Sequence, residues 1–173
     1  VQGEIENALM TIARSKSRII VKGSGRTDAG VHAKGQVANF ELEQNFDCDT
    51  IRDGINHYLR PQPISILQAE KVDKDFNSRF AAKLRWYEYK IINRRSPITL
   101  DQNKVWCVHK KINIEKIKKQ SQQFIGKFDL SAFRSINCQS KSSIKSINSL
   151  DIDFKNDEIN FLVSAKYFLH SQV

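Results

Sequence analysis

Apolar residues at Ile5, Leu9 and Ile12, with Ala8 and Ala13 beside them, recur at helical spacing and predict an amphipathic helix over residues 4–15. Strand-like runs follow at 18–22 and at about 35–42, separated by a glycine-rich stretch. Asp49 is expected to cap a second helix that carries Ile51, Ile55 and Leu59 on one face and ends at Arg60-Pro61. Ile64 to Val72 again reads as a strand. Residues 83–93 alternate like a long half-buried strand rich in aromatic residues, so Trp86 and Glu88 should face away from Tyr87. A short strand at Val105–Val108 precedes a helix capped by Asn113, bearing Ile114, Ile117 and Phe124 and stopping at Gly126. Two strands, at about 144–154 and 159–168, close the chain around a turn at Lys155–Glu158. This order predicts an α/β (α+β) fold, with largely antiparallel sheets and helices packed on one face. A composition shift near Lys71–Lys74 places a seam between two halves, residues 1–74 and 75–173.

Composition narrows the class. With 173 residues, 40% of them hydrophobic and 27% charged, the chain is expected to be globular and able to bury a core. No apolar run approaches the ~18 residues of a membrane span, and Cys48, Cys107 and Cys138 are too far apart for a disulfide framework or a paired zinc motif. A reducing, cytoplasmic setting without membrane association is expected. The net charge of +9 points to a polyanionic partner, with nucleic acid favoured over membrane. Part of that charge, such as Lys116, Lys118 and Lys119, reads equally well as the solvated face of a helix.

Chemistry is concentrated between residues 23 and 35, where four of the seven glycines surround one carboxylate, Asp28, and one guanidinium, Arg26. Gly25 and Gly30 have the glycine spacing of a phosphate-binding loop, but Val31-His32 stands where Lys-Ser/Thr is required. The dinucleotide fingerprint fails as well, because no glycine lies three residues beyond Gly25. A nucleotide cofactor is therefore not expected. The histidines His32, His57, His109 and His170 lack metal-ligand spacing, and no Gly-x-Ser-x-Gly elbow accompanies Ser24 or Thr27. Asp28 beside Arg26 remains, either as a catalytic pair or as an aspartate hydrogen-bonded to its own turn.

Gly25-Arg26-Thr27-Asp28-Ala29-Gly30-Val31-His32-Ala33, followed by Gly35-Gln36-Val37 and Phe40, resembles the catalytic signature of the TruA family of tRNA pseudouridine synthases. Further blocks resemble that family in the same order. They are Val1-Gln2 with Ile5 to Leu9, Gly54-Ile55-Asn56 (with His57 where the family has alanine), and Phe76-Asn77-Ser78-Arg79-Phe80. Arg85-Trp86-Tyr87-Glu88-Tyr89, Phe133-Arg134, Cys138-Gln139-Ser140 and Phe168-Leu169-His170 continue the series. The chain opens on the family's first long helix and stops at Val173, before an arginine-bearing segment, so the resemblance implies a fragment of a longer protein.

The resemblance implies the pseudouridine-synthase fold, two related α/β halves with a cleft between them. It also implies isomerisation of uridine to pseudouridine in the anticodon stem-loop of tRNA, without metal or other cofactor, by a homodimer. It assigns Asp28 as catalytic carboxylate, held ionised by an arginine of the missing segment. Arg26 would hold the flipped-out nucleotide, and Tyr87 would stack on the uracil. Arg79, Arg134 and His170 would contact RNA, chiefly through phosphates that position without specifying. The rival readings are a catalytically silent RNA-binding module and a nucleotide-dependent enzyme built on the glycine loop.

Overall fold

The computed structural model describes residues 1–136, 138 and 140–173. The chain divides into two units, one of Val1–Arg26 with Lys34–Ala81, the other of Thr27–Ala33 with Ala82–Val173.

In the first unit, helix α1 (Gln2–Ile12) buries Ala8 and Leu9 against helix α2 (Cys48–Tyr58), which contributes Ile51 and Ile55. Val21 and Leu59 complete the buried cluster, and Phe40, Ile64, Ile66 and Ala69 pack around it. Gly54 allows the close approach of the helices, since a Cβ there would lie 3.0 Å from Ile12 Cδ1. Asp47, not Asp49, is the N-cap of α2, with its carboxylate accepting from the backbone N–H of Asp49 at 2.9 Å and of Thr50 at 3.4 Å. Asp49 instead lies in the first turn, where its negative charge suits the helix dipole.

The expected strands at 18–22 and 35–42 contract to an antiparallel pair, β1 (Lys22–Gly23) and β2 (Ala38–Asn39). Residues 64–72 belong to no ladder. Alternation reports an extended chain, but a strand needs a neighbour to bond. Side-chain bonding substitutes here, because Asn56 Oδ1 accepts from the Ile66 N–H at 2.7 Å and its Nδ2 donates to the Ile66 carbonyl at 2.8 Å. A short helix, α3 (Ser78–Ala81), ends the unit.

The second unit is a five-stranded sheet in the order β4-β3-β7-β6-β5. Its strands are β3 (Arg85–Ile92), β4 (Trp106–Cys107), β5 (Gly126–Asp129), β6 (Ile144–Lys155) and β7 (Glu158–Ala165). Every pairing is antiparallel except β3 with β4. Asn156, at φ +58°, helps turn β6 into β7. Helix α4 (Ile114–Ser121) is capped by the Asn113 side chain as expected and continues through a 3-10 turn to Phe124. Strand β5, which begins at Gly126 itself, has no clear alternation in sequence and was not expected. The core of this unit comprises Leu130, Cys138, Ile147, Val163, Ala165 and Leu169, with Tyr87, Leu150 and Phe168 packed against it. The mixed α/β architecture and largely antiparallel sheet agree with the fold implied by the sequence.

Candidate active site

The glycine loop leaves β1 and returns through β2. At its base, Ser24 N–H donates to the Val37 carbonyl at 2.8 Å, and Gln36 Nε2 donates to the Gly25 carbonyl at 2.6 Å. Ser78 pins both strands. Its buried hydroxyl donates to the Lys22 carbonyl at 2.7 Å, and its N–H donates to Asn39 Oδ1 at 3.0 Å. Asn77 in turn caps α3 through the N–H groups of Arg79 and Phe80. Much of the Phe76–Phe80 block therefore anchors the strands that carry the loop. Arg79, expected to contact RNA phosphates, is exposed on that short helix.

Asp28 lies on a tight turn at the tip of the loop, where its carbonyl accepts from the Val31 N–H at 3.1 Å. Gly30, at φ +80°, supplies the left-handed residue that such a turn requires. The Asp28 side chain does not fold back on this turn. Its Oδ1 lies 2.8 Å from His170 Nε2, and its Oδ2 accepts from the Ser171 hydroxyl at 3.2 Å.

Tyr87 lies half-buried on β3, with its ring edge-on to Phe168 at 4.9 Å between centroids. Trp86 and Glu88 are exposed on either side of it in sequence, as the alternation predicted. Burial pushes the Tyr87 phenol above its ordinary range, and the negative charge of Asp28 pushes it further, against a smaller opposing effect of Arg85. The second unit thus brings Asp28 and Tyr87 within electrostatic reach of each other. Arg26 belongs to the first unit, is exposed, and has no ion-pair partner among the described residues.

Arg134 has a visible structural task, as its Nη2 donates to the carbonyls of Cys138 and Ser140, each at 2.9 Å. Cys138 is buried and accepts from the His170 N–H at 3.4 Å. That bond, with a backbone bond from Ser140 and the nearby Arg134 charge, lowers the thiol below its ordinary value. Gln139, named with this block in the sequence, lies outside the described residues. Ser171 was not anticipated. Nothing local marks it, since it meets Asp28 only through the fold, 143 residues away in sequence.

Comparison with known proteins supports the family that the sequence resembles. The family model described as tRNA pseudouridine synthase matches residues 1–81 and 121–173. The tRNA pseudouridine synthase A of Anaplasma phagocytophilum (strain HZ) is 45% identical over 173 residues, which cover 100% of this chain and 70% of the relative. Proteins of the same name from Ehrlichia chaffeensis (strain ATCC CRL-10679 / Arkansas) and Afipia carboxidovorans (strain ATCC 49405 / DSM 1227 / KCTC 32145 / OM5) are 46% and 42% identical over the same coverage. The chain belongs to the tRNA pseudouridine synthase family, isomerases that convert uridine to pseudouridine.

Proposed function

We propose that this protein isomerises uridines in the anticodon arm of tRNA, with Asp28 as the catalytic carboxylate. Family membership supports the isomerisation of uridine in tRNA. The observation that carries the assignment to Asp28 is its carboxylate, held by His170 and Ser171 on a hydrogen-bonded turn, with its negative charge within electrostatic reach of half-buried Tyr87.

The chemistry asks for such a group. A carboxylate that attacks C1′ forms an ester-like adduct as the N1–C1′ bond breaks and its electron pair passes to uracil N1. The freed uracil turns, C5 bonds to C1′, the carboxylate leaves, and the C5 proton is released while N1 is reprotonated. A carboxylate that instead removes the C2′ proton leads through a glycal to the same product. Both routes are redox-neutral and need an ionised Asp28.

Tyr87 offers its ring to the uracil face, a grip that holds the base without fixing its rotation. Its packing on Phe168 keeps that ring in place. Arg26 holds the nucleotide once it has left the stack. Arg79, Arg134 and surface lysines contact tRNA phosphates, in keeping with the net charge of +9. The enzyme works in the cytoplasm as a homodimer across which one tRNA lies.

Tritium release from tRNA labelled at uracil C5 tests the assignment. The parent should release tritium and Asp28→Asn should not, while tRNA retention is unchanged. Equal release by both would remove Asp28 from the chemistry; release by neither, with binding intact, would favour a silent RNA-binding protein.

A further inference from the structure

We propose that His170 is a positioning residue for this reaction, which together with the Ser171 hydroxyl fixes the orientation of the Asp28 carboxylate. The inference rests on the reading of Asp28 as the catalytic group. His170 Nε2 lies 2.8 Å from Oδ1, and Ser171 Oγ lies 3.2 Å from Oδ2. An ionised carboxylate only accepts, so both neighbours must donate, His170 through an Nε2–H. A single bond would leave the carboxylate free to swing about it; one bond to each oxygen fixes its plane. Two donors occupy two of the roughly four acceptor sites of a carboxylate, so lone pairs remain for C1′ or the C2′ proton.

The donors are themselves held, and by the main chain. His170 N–H donates to Cys138 Sγ at 3.4 Å, and its carbonyl accepts from the Ser135 N–H at 3.1 Å. Leu169 beside it is buried, and its N–H donates to Gln172 Oε1 at 2.8 Å. Ser171 takes φ +61°, a left-handed conformation uncommon outside glycine, which persists only where the surroundings impose it. None of these anchors uses the imidazole, so changing that side chain leaves the segment's fastenings in place. The His170 and Asp28 side chains are 41% and 40% exposed, so substrate can reach the pair. Here Nε2 is committed to a carboxylate, whereas the sequence pointed to RNA contact for this residue.

The test compares the parent, His170→Ala, His170→Gln and Asp28→Asn by steady-state tritium release, tRNA filter binding at several salt concentrations, and thermal unfolding. Glutamine places an Nε–H donor near the position of imidazole Nε2. His170→Ala should lower kcat by about ten- to a hundred-fold with tRNA Kd within about two-fold, and His170→Gln should restore most of the loss. An unchanged kcat in His170→Ala, with Asp28→Asn inactive, overturns the proposal while leaving Asp28 in its role. A loss confined to tRNA affinity, with a shallower salt dependence, also overturns it and marks a phosphate contact. So does a His170→Gln enzyme as slow as His170→Ala. An active Asp28→Asn sinks the reading beneath the proposal.

Discussion

Removing the Glu6 carboxylate should destabilise the lead-in to the glycine loop by a predictable amount. Glu6 is buried on α1, where its Oε1 accepts from Gln2 Nε2 at 2.8 Å and from the Val21 N–H at 3.1 Å. Its Oε2 accepts from Arg18 Nε at 2.8 Å. Val21 immediately precedes β1, so this carboxylate ties the chain entering the loop to the first helix. The Arg18 side chain is 68% exposed and recovers hydration when released, so that pair contributes at most about 1 kcal/mol. The buried Val21 N–H has no such recourse, and orphaning it costs about 1–3 kcal/mol. Glu6→Ala should therefore lose about 1–4 kcal/mol in urea unfolding near pH 7. Glu6→Gln should lose about 1–2 kcal/mol, since its amide can accept on one side only.

The pH dependence has a definite sign. Foremost the Gln2 hydrogen bond, and then those from Val21 and Arg18, hold the folded carboxyl below its ordinary 4.5, against the opposing effect of burial. A carboxylate lowered on folding contributes fully above its unfolded value, and loses that contribution as pH falls through the folded one. The stability gap between parent and Glu6→Gln should thus be constant around neutrality and close below about pH 4.5. A gap that persists unchanged through that range, or a Glu6→Ala loss below about 0.5 kcal/mol, would refute the reasoning.

Two further outcomes follow from the site. At Gly30 an added Cβ meets nothing within 4 Å, so Gly30→Ala should cost only the strain of its positive φ, about 1–2 kcal/mol, with a larger fall in tritium release than in tRNA binding. Unaltered release and stability would show that the turn does not depend on glycine. The Tyr87 phenol, followed by NMR of carbon-labelled tyrosine, should titrate at lower pH in Asp28→Asn than in the parent, because one of the charges raising it is gone. An identical titration would mean that the Asp28 charge does not reach the ring in solution.

Chain-local physics was legible without any structure. Ile5, Leu9 and Ile12 marked α1, Asn113 marked the start of α4, and the alternation around Tyr87 marked β3 and the exposed side of Trp86. The ordered blocks around Asp28 identified the family, because several specific residue types at set spacings and in one order do not recur by chance. Periodicity misjudged the strands at 18–22, 35–42 and 64–72, since alternation reports burial on one face while a ladder depends on a partner elsewhere in the chain. Asn56, bonding Ile66 in place of a strand, is that difference in a single side chain. The partners of Asp28 were likewise settled only by folding. His170 and Ser171 carry no local signal for a carboxylate so far away in sequence, and they reach it because the second unit's core holds Leu169 and Cys138 where it does. Sequence determined which residues are candidates for the chemistry; tertiary structure decided which of them meet, because contact across 143 residues is a property of packing and not of spacing.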